Sequence, residues 1–373
     1  MLQHVDTYLY QKHLVEAIEN HLGRPLQPNI HQAFLQIPRH FFIEHAYRQR
    51  GNSLTWDLVK APALEDIYRD HALVTKIGAQ GRPICSSSQP SLMALQLEAL
   101  DLHYGHTVLE IGTGTGYNAV LMSHLVDQTG QVVSPDIDEE LVNTAQHHIY
   151  RAGGENVLVV QGDGSGGYDL CSPYDRLLVT CGVTSLPRLW LSQLKQHGLL
   201  ICNLLFPLAS TFIRLQKTGA ATITGCFLDI NGQYMRMHGP EGLSPLRRGI
   251  NWKQYDALAS HNVTLAYNLT ELLSNPAYSL LLQCLAPASL HYRWDKHSAQ
   301  PDVYLLEQGG GSAVRMREDG ITVYGDAEHL EQQIQMSLSL YHHLRPSLTD
   351  YRIHLTGEQA TLMLADQTFP LSI

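Results

Sequence analysis

The stretch VLEIGTGTGYNAV, Val108 to Val120, constrains this chain more than any other. An apolar run meets glycine at every second position, at Gly112, Gly114 and Gly116, and passes directly into a helix-like run. The same alternation continues on both sides. SLMALQLEAL, GYNAVLMSHLV, EELVNTAQHHIYRAG and LPRLWLSQL read as helices, while TVLEIG, GQVVSPDID, NVLVVQGDG, YDRLLVTCG and GLLICNLL read as strands. Strands that alternate with helices predict an α/β fold, a Rossmann-like doubly wound sheet covered on both faces.

The flanks read differently. Leu14, Ala17, Ile18 and Leu22 fall at helical spacing and Gly23-Arg24-Pro25 ends that helix, so residues 1 to about 50 are expected to be helical. HQAFLQIPRHFFI is a short helix ended by Pro38, and a short strand is expected at Ala72 to Lys76. TFIRLQK and TITGCFLDI are expected to add antiparallel strands at one edge of the core. Gly239, Pro240, Gly242 and Pro245 then mark a boundary. Beyond it come a hairpin on Asp319-Gly320, the helix AEHLEQQIQMSLSLYHHL, a second hairpin from YRIHL and ATLML, and a flexible QGGGS turn. A chain of 373 residues has room for more than one domain. The expected division is an N-terminal helical segment packed on the core (1–70), the core (71–240) and a smaller α+β domain (245–373).

The chain carries a net charge of -10 with histidines neutral, which argues against nonspecific nucleic-acid binding. YSLLLQCLAPASL is too short to span a membrane and is broken by Gln283 and Pro287, so no membrane partner is expected. The N-terminus has no apolar signal core, and the six cysteines form no CxxC pair; both point to reduced thiols in the cytoplasm. His147-His148 and His342-His343 are adjacent pairs on expected helices, so each pair points to different faces. No HxxxH or HExxH run occurs, and no metal site is expected.

Glycine loops of this kind hold nucleotides, and the spacing selects among them. A dinucleotide fingerprint needs GxGxxG, and here Tyr117 occupies the place of the third glycine. Glu110 lies inside the strand, two residues before the first glycine. A carboxylate there is poorly placed beside a diphosphate but suits a cationic ligand. E-x-G-x-G-x-G is the pattern of class I methyltransferases, whose cofactor is S-adenosyl-L-methionine. Asp136 ends the next strand, where a carboxylate can accept both ribose hydroxyls. Asp163, followed by Gly164, ends the strand after that, within reach of an adenine amino group. The other reading of Asp136 is a helix N-cap.

Three stretches in order, IPRHFFI, SSSQPSLMALQLEAL and VLEIGTGTGYNAV, resemble the protein-L-isoaspartate O-methyltransferases. VVQGDGSGGY, SPYDRLLVTCGVTSLP and LSQLKQHGLLI continue the resemblance, which covers roughly residues 31 to 206. It implies a class I S-adenosylmethionine-dependent methyltransferase core and a peptide or protein substrate bearing isoaspartate or aspartate. The serine stretch would close over the cofactor with Ser86 and Ser87, and Ser88 would hold the catalytic position, donating to the carboxylate oxygen that does not attack. The other role for Ser88 is a cap for the helix beginning at Pro90-Ser91. Arg39 and His40 could draw in a negative substrate; the plainer reading is a surface helix end with cations near its C-terminus.

The family's usual members lack a tail after about residue 245. The segment YRDHALVTKIGAQGRPICSSSQP, the MRMHG stretch and that tail resemble a subgroup that methylates an aspartate in a ribosomal precursor peptide, which then collapses to aspartimide or isoaspartate. Repair of isoaspartate and modification of a dedicated peptide both stay open at this point. So do a small-molecule methyltransferase and a non-catalytic cofactor- or peptide-binding module on the same fold.

Overall fold

The structure, a computed structural model, describes residues 7–51, 55–239, 250–286, 288–293, 301–307, 311–317, 320–357, 359–371 and 373. It divides into two compact units, each discontinuous in sequence. The first holds Met1–Asn203, Arg214–Ala220 and Ile230–Leu243; the second holds Leu204–Ile213, Ala221–Asp229 and Ser244–Ile373.

The first unit opens with helices α1 (Tyr8–Leu22) and α2 (Pro28–Gln36). Gly23 ends α1 in the left-handed conformation, and Pro28 starts α2 at its first turn, as each residue's backbone preferences require. Residues 45–60 depart from the helical expectation. β1 (His45–Gln49) and β2 (Trp56–Lys60) pair antiparallel from His45↔Lys60 to Gln49↔Trp56. With β3 (Leu73–Ile77) and β4 (Pro83–Ser87) they form a four-stranded sheet of order β2-β1-β3-β4. HAYRQ and WDLVK are half-exposed, and their apolar residues, Ala46, Tyr47, Trp56, Leu58 and Val59, do not keep to one face, so no alternation announces them. The pairing itself stabilises them.

After the short helix α3 (Leu64–Ile67) and α4 (Pro90–Leu100), the core follows the expected order. It contains β5 (Thr107–Ile111), α5 (Tyr117–Val126), β6 (Gln131–Asp136), α6 (Glu139–Arg151), β7 (Val157–Gln161), β8 (Tyr174–Val183), α7 (Arg188–Ser192) and β9 (Leu194–Leu205). The strand order is β9-β8-β5-β6-β7, with β5 parallel to both β6 and β8. β5 is therefore central, and Val108, Leu109 and Ile111 are buried as a near-continuous apolar run, the signature of a strand covered on both faces. From β5 the chain winds outward through β6 and β7, then reverses to β8 on the other side. That reversal puts a topological switch point between the carboxyl ends of β5 and β8, where open α/β sheets bind ligands.

In the second unit, β12 (Ser260–Thr264), β13 (Ala288–Arg293), β14 (Asp302–Glu307), β15 (Ala313–Arg317) and β16 (Gly320–Tyr324) form an antiparallel sheet of order β12-β16-β15-β14-β13. Leu282, Leu305, Val314, Ile321, Val323 and Ile334 belong to one buried cluster, to which the helices Pro276–Leu285 and Glu328–Leu344 contribute. The β15–β16 hairpin is present, with Arg317 paired to Gly320; Asp319 of the expected turn lies outside the described residues. So do Gln308, Gly309 and Gly310 of QGGGS, and Pro240, Gly242 and Pro245 of the expected boundary. TFIRLQK lies in β10 (Ser210–Lys217), and TITGCFLDI forms β11 (Thr222–Leu228), which pairs antiparallel with Arg352–Thr356 inside the second unit. Arg352–Thr356 also makes the expected hairpin with Gln359–Leu364.

Candidate functional site

A cavity of about 420 Å³ opens at the switch point of the first unit. Its walls come from the glycine loop after β5, the end of β6, the end of β8, the β3–β4 hairpin running into Ser86–Gln89, and the returning segment Gly232–His238.

The three glycines are glycine for different reasons, although all have positive φ (98°, 54° and 84° in order). A Cβ on Gly112 would meet Thr180 Oγ1 at 2.8 Å; that hydroxyl donates to the carbonyls of Ile111 and Gly112 and locks the loop to β8. Gly114 faces the serine stretch, with Cys85 Sγ 3.4 Å from its Cβ position. Gly116 does not line the cavity. It starts α5, and a Cβ there would press on Ile149 of α6 at 3.0 Å, so its role is close packing of the loop on a helix.

The acids separate in the same way. Asp136 lines the cavity at the end of β6; its Oδ2 accepts from Gly114 N at 2.9 Å and its Oδ1 from Asp138 N at 3.1 Å. It is not the cap of α6. Asp138 is, accepting from Leu141 N. Glu110 lines the cavity with no solvent exposure; Ser134 Oγ donates to one oxygen at 2.7 Å and Asn118 Nδ2 to the other at 2.8 Å. Burial pushes its carboxyl up to about 7, against the pull of those two donors. Asn118 Oδ1 is a buried acceptor without a partner among the described residues. Asp163 is exposed and does not line the cavity. Its carboxylate accepts from Ser165 N at 2.9 Å as the cap of the turn Gly164–Gly166, and Gly164 is the wall residue.

Ser86, Ser87 and Ser88 all line the cavity. The capping role for Ser88 is not realised: Gln89 stands at the N-cap of α4 without a side-chain cap, and Asp70 Oδ1 accepts from Ser91 N instead. Arg39 overturns its sequence reading. It is wholly buried, neither a surface cation nor a lure for substrate. Its guanidinium donates to the carbonyls of Ile67, Arg69, His71, Ser87 and Ser88 and to Ser87 Oγ, tying the serine stretch to the α3 region. Burial pulls it down to about 10. His40 is half-buried and bonded to the Tyr68 hydroxyl at 2.7 Å. His147 is exposed and His148 buried, as adjacent helical positions require.

Sequence reasoning missed the last wall. Gly182 N donates to Met235 O and Met237 N to Gly182 O, both at 2.8 Å, which sets Arg236 beside Gly182 as a one-residue parallel bridge on β8. Two residues earlier, the buried Tyr234 bonds to Gln96 and to Ser88, bringing a phenol to the serine stretch. In sequence, MRMHG carries a resemblance but no periodicity or spacing that places DINGQYMRMHG in the site.

Comparison with known proteins agrees with this geometry. A family model described as Protein-L-isoaspartate(D-aspartate) O-methyltransferase (PCMT) matches residues 10–224. A Thermotoga maritima protein-L-isoaspartate O-methyltransferase is 41% identical over 173 residues, 46% of this chain, and the match spans about half (49%) of that relative's length. A Methanosarcina mazei protein of the same name is 38% identical over 191 residues, covering 51% of this chain and 68% of the relative. Among solved structures, a protein-L-isoaspartate O-methyltransferase aligns with a TM-score of 0.58 at 26% identity over 95% of this chain and 99% of its own. That alignment runs well past residue 224, so the tail has a counterpart there. With a class I methyltransferase fold and a family match over more than half its length, the chain belongs to the protein-L-isoaspartate(D-aspartate) O-methyltransferase family.

Proposed function

We propose that the protein is an S-adenosylmethionine-dependent carboxyl O-methyltransferase acting on L-isoaspartyl residues of peptides and proteins. The observation that carries this reading is the meeting of two stretches in one cavity: Ser86–Ser88 on one side, and the Gly112–Gly114 loop with Asp136 and Glu110 on the other.

The residues fit the cofactor. About 420 Å³ is ample for a small ligand, and a wholly buried carboxylate beside an unpartnered acceptor on Asn118 suits a cationic, hydrogen-bond-donating molecule. Asp136 and Gly164 would hold the nucleoside half and Glu110 the charged half. The bound cofactor supplies an electrophilic methyl group on a positively charged sulfur.

The chain's own work is positioning. A substrate carboxylate is already ionised at neutral pH, so no general base is required. Ser88 donates to one carboxylate oxygen and leaves the other free to form the new O–CH3 bond as the S–CH3 bond breaks. Opposite charges cancel in that step, and excluding water favours it. Orientation of this kind supplies roughly 7–11 kcal/mol. Arg39 fixes the carbonyls on which the serine stretch hangs. We place the protein in the cytoplasm, a reading supported by six free cysteines. Among the described residues, no helix is long and apolar enough to cross a membrane.

The test is mass spectrometry of the full-length protein with the cofactor and two matched peptides, one isoaspartyl and one aspartyl. A gain of one methyl on the isoaspartyl peptide alone is expected. Methyl transfer to the aspartyl twin, or to neither peptide, would overturn the reading.

A further inference from the structure

We propose that Arg236 recognises the negative charge of the substrate's carboxylate at the cavity and so separates the anionic substrate from its neutral methyl ester; this rests on the function proposed above. Arg236 carries the one permanent positive charge among the described residues that line the cavity. The other charged wall residues are Glu110, Asp136 and Asp138. Those acids belong to the ends of β5 and β6, where Asp138 is also held by Lys76 at 2.8 Å. Arg236 comes from the segment bridged to β8.

Its position is fixed and its side chain is available. The backbone on both sides of Arg236 is bonded to Gly182, through Met235 O and Met237 N. The residue is exposed, and no carboxylate lies within ion-pairing distance of it among the described residues. Tyr234 bonds to Ser88, the serine assigned to the substrate, and Arg236 follows two residues later along the same cavity wall.

Because Arg236 is exposed, its guanidinium is solvated and needs no protein partner for stability, which leaves it available to a ligand. Its positive charge matches the chemistry of the reaction. The substrate arrives with one negative charge on the reacting carboxylate, and the ester leaves with none. A cation at this point attracts the first and loses its hold on the second. It does so by charge, which a planar carboxamide of the same shape lacks.

The experiment uses the full-length protein, an isoaspartyl peptide as substrate, and the same peptide with its reacting carboxylate replaced by a carboxamide as competitive inhibitor. R236Q is expected to raise KM for the carboxylate peptide by about tenfold or more, as loss of a charged hydrogen bond does, with the effect on KM rather than kcat. The inhibition constant of the carboxamide peptide should stay where it is, and R236K should restore most of the lost affinity. An unchanged KM in R236Q overturns the proposal. So does a rise in KM matched by an equal rise in the carboxamide's inhibition constant, because that is loss of shape and not of charge. If the unaltered protein transfers no methyl to the isoaspartyl peptide, the functional reading falls and the proposal with it. If it does, the two peptides decide Arg236 alone.

Discussion

The guanidinium of Arg39 donates to the carbonyl oxygen of Ser88 at 3.0 Å, joining residues 49 apart in sequence. It is one of seven such contacts from a side chain with no solvent exposure, and all of them end on neutral oxygens. Arg39→Met keeps the stem and removes the donors, leaving the carbonyls of Ile67, Arg69 and His71 short of this partner. Each buried group left unmet costs about 1–3 kcal/mol, so a loss of roughly 3 kcal/mol or more is expected. Urea unfolding checks it; a midpoint equal to that of the unaltered protein would show that the network is ornamental.

Asp136 holds Gly114 N through one oxygen and Asp138 N through the other, and it lines the cavity. Asp136→Ala should weaken S-adenosylmethionine binding by about 1.5–3 kcal/mol, roughly tenfold to a hundredfold in Kd. Titration calorimetry reads this directly. An unaltered Kd would mean that the nucleoside half of the ligand lies elsewhere.

Glu110 gives a pH dependence with a defined sign. Its folded carboxyl is raised from 4.5 to about 7 by burial, so the folded protein binds this proton more tightly than the unfolded chain does. The stability this contributes is complete below about pH 4.5 and is lost as pH rises toward 7, amounting to about 3 kcal/mol across that window. Ligand-free Glu110→Gln should show a flatter dependence of unfolding free energy between those limits. An identical slope in both proteins would refute the assignment. A cationic ligand favours the ionised form, so cofactor affinity should increase with pH through the same range.

Ser88→Ala should lower turnover more than it weakens cofactor binding. The main chain at Ser88 stays tethered by Arg39, and only the hydroxyl is lost. A kcat that holds while the cofactor Kd rises would make Ser88 a cofactor ligand.

The core was legible because its signals are local. Strands and helices show in the local periodicity, the loop in the spacing of its glycines, and Asp136 in its place at the end of β6. What escaped depends on distant partners. Arg39 reads as a surface cation until its carbonyl partners, 28 to 49 residues away, are known. β1 and β2 lack an apolar stripe and exist by pairing. Gly116 and Asp163 carry the right residue type at the right spacing, yet one packs on α6 and the other caps a turn. Spacing identifies the loop but not which of its atoms face the ligand. Tyr234 and Arg236 lie in a segment with no periodicity, placed by the two hydrogen bonds to Gly182.

The first unit takes back Ile230–Leu243 only after the chain has left it twice, at Leu204–Ile213 and Ala221–Asp229. During synthesis the glycine loop, the strand-end acids and the serine stretch all leave the ribosome well before Tyr234 and Arg236. A nascent chain can therefore carry the glycine loop, Asp136 and Ser86–Ser88 while the cavity wall holding Tyr234 and Arg236 is still unmade.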